Sequence, residues 1–246
     1  MTVTLNFRTF ASSVAAVALT TGASFAAESW TMPSGSTDNF NYSQGQTENG
    51  LFTDSSPDVF GDTLLFFPNN FIADDNDTSV SDQLSFVTNA KPGVKLQKVS
   101  ATLTGDYSSD DIITAIAFPG FGSTMATAQL TLINADNTAD TRTQNVTFTP
   151  SSPFFGDGQF SGVASLDVPS SWVNILVQLD ATLSTFNLVP SINGNALVAN
   201  GNGSVIQLKG TNIELQAAAV PLPGALLAAP GAMAVAWFAR RKLNKR

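Results

Sequence analysis

Apolar and polar residues alternate through most of the chain between residues 27 and 216. In "KVSATLTG", Val99, Ala101 and Leu103 fall on one side and Ser100, Thr102 and Thr104 on the other. "QLTLIN" places Leu130 with Leu132, "NVTFTP" Val146 with Phe148, and "TNIELQ" Ile213 with Leu215. "WVNILVQLD" aligns Val173, Ile175, Val177 and Leu179, with Leu176 out of step. Successive strand side chains point to opposite faces, so this period predicts half-buried antiparallel strands. Apolar runs at 63–67, 83–88 and 111–118 add further strands, and clusters such as "NAKPG" and "NADNTAD" supply the turns between them. About nine to eleven short strands with turns between them predict one all-β domain, an antiparallel β-sandwich of jelly-roll type over 27–216. Residues 27–57 are polar and turn-rich, and are expected to be loosely ordered or to pair only at an edge.

Both ends break the pattern. At the start, Arg8 precedes a small-residue apolar run centred on Val14–Leu19, and Ser24 and Ala26 put small residues before Ala27. This predicts a secretory signal peptide over 1–26, cleaved between Ala26 and Ala27. At the other end, residues 217–246 hold Val220-Pro221-Leu222-Pro223, then sixteen uncharged residues from Gly224 to Ala239, then Arg240, Arg241, Lys242, Lys245 and Arg246. Extended backwards through Ala217–Pro223, the apolar stretch predicts a membrane-spanning helix, and the basic cluster holds its end in the cytoplasm. With a signal peptide in front, the body lies outside. An ordinary tail anchor is one reading of this segment.

The other rests on a resemblance. The order Val220-Pro221-Leu222-Pro223, apolar stretch, Arg240-Arg241-Lys242 resembles the PEP-CTERM sorting signal of the VPLPA type, with Leu222 replacing the commoner Glu and Gly224 the Ala. The resemblance covers only about the last 27 residues, and the terminal position and matching signal peptide add to it. It implies passage through the inner membrane and handling by an exosortase, a membrane-embedded Cys protease or transpeptidase. It also implies a cell-surface or extracellular location in an exopolysaccharide-producing Gram-negative bacterium.

Composition narrows the chemistry. With 43% hydrophobic residues the chain can build a core, and its low charged fraction of 12% leaves Ser, Thr, Asn and Gly to fill strands and turns. Cys and His are absent, which removes Cys nucleophiles, Ser-His and Cys-His pairs and the usual zinc and haem ligands. All nineteen acids lie between Glu28 and Glu214 with five bases, a net of −14, which argues against nucleic acid as a partner.

The densest acidic stretch, "FIADDNDTSVSD", makes Asp74, Asp75 and Asp77 weak Ca²⁺ candidates beside Asp82, without the EF-hand spacing. A solvated loop is the plainer reading, and no cofactor is otherwise expected. Paired carboxylates would suit a glycoside hydrolase, but nearly all the acids are Asp in turn contexts. Trp30, Tyr42, Tyr107 and Trp172 are candidates to stack on sugar rings in a carbohydrate (exopolysaccharide)-binding module, with Trp172 better suited to the core. The seven Phe at 60, 66, 67, 71, 154, 155 and 160 are expected to cap the sandwich. The expectation is an exported, non-catalytic cell-envelope or extracellular-matrix protein, with the binding module and the hydrolase as alternatives.

Overall fold

The structure, a computed structural model, describes residues 27–53, 56–74, 78–109, 121–154, 156–188, 191–192, 195–196 and 204–220. Among them the regular structure is entirely β, in two antiparallel sheets packed face to face. The first sheet runs β1 (Glu28–Ser29), β3 (Phe40–Thr47), β7 (Ser79–Ala90), β13 (Asn174–Leu188), β9 (Phe121–Asn134), β10 (Thr141–Asn145), with β2 (Gly35–Ser36) against β3. The second runs β11 (Thr147–Thr149), β12 (Gly158–Asp167), β8 (Val94–Ser108), β16 (Val205–Ala219), β5 (Thr63–Phe66), β4 (Asp58–Phe60), with β6 (Ile72–Ala73) against β16. A separate hairpin pairs β14 (Ser191–Ile192) with β15 (Asn195–Ala196). The two quartets β5-β16-β8-β12 and β7-β13-β9-β10 have the strand order of a jelly roll, to which β1–β3 add an edge.

The alternation in the sequence becomes the two faces of each sheet. Ile175, Val177, Leu179 and Leu183 of β13 are buried between the sheets, as are Val99, Ala101 and Leu103 of β8 and Ile213 and Leu215 of β16. Leu176, out of step in the sequence, lies on the outer face between Val87 and Ile133, where the three form a half-buried apolar row. "NVTFTP" keeps its period while changing sheets. β10 ends at Asn145, Val146 donates its N–H to Ala128 O at 2.8 Å, and β11 begins at Thr147 in the other layer. Tight turns reverse the chain where glycine allows a left-handed backbone, as at Gly61 (φ 59°) between β4 and β5 and Gly93 (φ 90°) between β7 and β8.

One expectation holds in its second form and another needs correction. The described residues of 27–57 pair at an edge of the first sheet, and Trp30, Phe40, Tyr42 and Phe52 also enter the core. Trp30, Tyr42 and Tyr107 do not form an exposed stacking surface. Each covers a glycine on the neighbouring chain segment: Trp30 lies over Gly45, Tyr42 over Gly35 and Tyr107 over Gly158. Phe148 covers Gly162 and Phe160 covers Gly105 in the same way. The bare glycine backbone lets each ring lie flat against its neighbour, and core rings cover the rest: Trp30 packs on Tyr42, Phe66 and Phe86, and Tyr107 stacks on Phe154, so polar neighbours in sequence did not expose these residues. Trp172 is half-buried against the core. Of the Phe residues, 66, 71, 154 and 160 are interior, Phe60 and Phe67 are exposed, and Phe155 lies outside the described residues.

Candidate functional site

The outer face of the first sheet carries a polar array. In register across the strands stand Gln83 (β7), Asp180 (β13), Gln129 (β9) and Asn145 (β10). The neighbouring row holds Ser85, Gln178, Thr131 and Thr143, of which Ser85 and Thr131 are buried beneath their longer neighbours. Gln83 Nε2 donates to Asp180 Oδ1 at 2.6 Å, and Gln129 Nε2 donates to Asn145 Oδ1 at 3.0 Å. Burial raises the Asp180 carboxyl above the ordinary aspartate value, and the Gln83 hydrogen bond offsets only part of that rise.

Beside this array opens a cleft of about 690 Å³. It lies where β10 stops at Asn145 and the chain leaves the first sheet, so that past Gln129 the β9 edge meets only single contacts from Val146, Ser152 and Phe154. Thr127, Gln129, Asp180 and Thr182 line it from the sheet; Thr147, Ser151 and Ser152 line it from the crossing segment. Met125, Val146 and Phe148 add an apolar side. Asp180 is the only ionisable residue in the lining. Arg142, the base on β10, pairs with Leu132 and therefore points to the opposite face of the sheet from Gln129 and Asn145. A smaller groove of about 340 Å³ on the second sheet holds the Lys209–Asp106 ion pair.

The acidic stretch divides. Asp74 is half-buried and its carbonyl accepts the Thr185 hydroxyl at 3.2 Å, while Asp75 and Asp77 lie outside the described residues. Asp82 is no cation ligand: its carboxylate is buried and accepts four backbone N–H groups, from Asn49, Leu51, Phe52 and Gln83, at 2.7–3.0 Å. Among the described residues no group of three or more acids could hold a metal ion. Asp62 is likewise a structural acceptor, bound by Thr37 Oγ1 at 2.7 Å and by Asn39 N and Nδ2 at 2.8 and 2.6 Å. Burial would raise its pKa, but the Asn39 and Thr37 bonds and the Lys91 charge outweigh that and hold it low.

Of the sorting segment, Val220 is described and exposed. Pro221, Leu222, Pro223, the basic cluster Arg240, Arg241, Lys242, Lys245 and Arg246, and Ala26 lie outside the described residues, while Ala27 is exposed at the start of the body. No described helix is long and apolar enough to cross a membrane.

No family model and no curated protein matches the chain. Among solved structures, it is similar to the carbohydrate-binding module TmCBM61 in complex with β-1,4-galactotriose, at TM-score 0.27 and 7% identity, over 72% of this chain and 88% of that one. It is also similar to an oxalate decarboxylase, at TM-score 0.12 and 11% identity, over 72% of this chain and 34% of that one. Likenesses this distant bear on neither ligand nor activity.

Proposed function

We propose that the chain is an exported, non-catalytic protein of the cell envelope or extracellular matrix, sorted through its C-terminal segment. What carries this reading is the junction at Val220. The last described strand ends at Ala219, and in the sequence the proline motif, the apolar stretch and the basic cluster follow with no linker between them. The charge pattern agrees, with a body of net −14 and bases gathered at the far end. The non-catalytic part rests on composition, since a chain without Cys and His has no Cys nucleophile and no Ser-His or Cys-His pair.

Intact-mass measurement of the exported protein tests the reading, in a host with an exosortase and in one lacking it. The mature chain is expected to begin at Ala27 in both and to end near residues 220–224 only where the exosortase is present. A chain ending at Arg246 in both hosts would leave the tail as an ordinary anchor and remove the sorting role.

A further inference from the structure

We propose that the cleft over β9 and β13 binds an uncharged glycan, with Asp180 as the central acceptor of sugar hydroxyls. The choice of an extracellular glycan rests on the envelope reading above; the chemistry of the cleft does not. Each hydroxyl of a sugar both donates and accepts, so its recognition takes acceptors and donors together. Asp180 supplies the charged acceptor, Gln129 and Asn145 supply amides of both kinds, and Thr127 and Thr182 supply hydroxyls, all in or beside one row. Half-buried Met125 gives an apolar patch for the ring's C–H face, backed by the buried Val146 and Phe148.

The same lining disfavours other ligand classes. A uronate, sulfate or phosphate would meet the Asp180 carboxylate with no cation in the lining to balance it. An apolar ligand would strip water from a carboxylate that has one side-chain partner. A cation such as Ca²⁺ takes six or more oxygens, and one carboxylate among neutral groups makes a poor site. A peptide adding itself to the β9 edge finds that edge occupied, since Ala126 N donates to Ser152 Oγ at 3.3 Å and Ala128 O accepts from Val146 N at 2.8 Å.

The test is an array of neutral and uronate-containing oligosaccharides probed with the full chain, followed by titration with the strongest neutral binder. Binding to neutral glycans is expected, without gain on adding Ca²⁺. Asp180→Asn, which keeps the size and one acceptor oxygen, is expected to weaken binding by about tenfold or more. Thr127→Trp, filling the cleft, is expected to abolish it, and Thr102→Trp on the outer face of the second sheet is expected to leave it unchanged. Melting temperatures close to or above that of the wild type show that the variants are folded. A preference for uronates, no binding on the array, or binding that survives Thr127→Trp would overturn the proposal. The outcome is separate from the sorting test: a chain that keeps its tail can still bind glycan, and a correctly trimmed chain can fail to.

Discussion

The backbone N–H of Val220 donates to the carbonyl of Gly93 at 3.1 Å, tying the first residue of the proline motif to the turn between β7 and β8. Just before it, Ala217, Ala218 and Ala219 pair with Leu96, Lys95 and Val94. These alanines therefore belong to a central strand of the second sheet, three residues beyond the expected boundary at 216.

A body fragment ending at Gln216 is expected to be less stable than one ending at Val220. The longer fragment keeps three strand pairs and the Val220–Gly93 bond, worth about 2 kcal/mol together at roughly 0.5–1.5 kcal/mol per net hydrogen bond. For a domain of this size that is a melting temperature higher by about 4–8 °C. Equal melting curves for the two fragments would show that 217–220 do not belong to the fold.

Asp82 anchors the loop that carries Phe52 into the core. Replacing it by Ala leaves its backbone donors at Asn49, Leu51, Phe52 and Gln83 without an acceptor, in a place where the side chain is almost fully buried. The expected loss is about 3–5 kcal/mol, read from urea unfolding. Asp82→Asn is expected to recover less than half of it, because an amide offers one acceptor oxygen and turns two donors toward N–H groups. A loss below about 1 kcal/mol for Asp82→Ala would mean that the loop is held by its apolar contacts alone.

Alternation made most of the long strands legible, since β8, β13 and β16 each bury every second residue over their central part. It could not show partners. "NVTFTP" reads as one strand because Val146 and Phe148 are both buried, yet the chain changes sheets between them. The aromatics near the N-terminus looked exposed because their sequence neighbours are polar; the glycines they cover, Gly35 and Gly45, were the available signal. Asp180 was one acid among nineteen. Its setting depends on Gln83, 97 residues away in the chain and opposite only once β7 and β13 pair.

The rings laid over glycines predict a graded response to added methyl groups. A Cβ at Gly105 would stand 2.2 Å from the backbone carbonyl oxygen of Gln207 and 2.4 Å from the Phe160 ring, and backbone in the middle of a sheet has little room to yield. A Cβ at Gly162 would meet Phe148 and Val146 side chains at 2.4–2.6 Å, which can shift at a cost. At Gly210 it would meet only the Thr104 hydroxyl at 2.9 Å. Loss of stability on substitution by Ala is expected to fall in that order: about 3 kcal/mol or more, about 1–3, and under about 1. The same loss at all three sites would mean that the covering rings are not what sets the cost.

Asp62 and Asp180 are expected to move stability with pH in opposite directions. Asp62 has a lowered pKa in the folded state, so its contribution is present above the unfolded value of about 3.9 and is lost as pH falls through the folded value. Asp180 has a raised pKa. Between about 3.9 and its folded value the folded chain holds a proton that the unfolded chain has released, so this group favours folding most at low pH and less as pH rises through the folded value. Asp62→Asn is therefore expected to lower the melting temperature at pH 7, by about 1 kcal/mol in stability after allowance for screening, with the difference shrinking below about pH 4. Asp180→Asn keeps an acceptor for Gln83 and sheds the buried charge, so at pH 7 it is expected to melt at or above the wild-type temperature. That advantage should fade on acidification, as the wild-type carboxyl takes up its own proton. Melting curves of the two variants and the wild type from pH 3 to pH 8 decide it. If Asp180→Asn is destabilised at pH 7 and recovers in acid, the carboxylate is a structural acceptor like Asp62 and not a group held for a ligand.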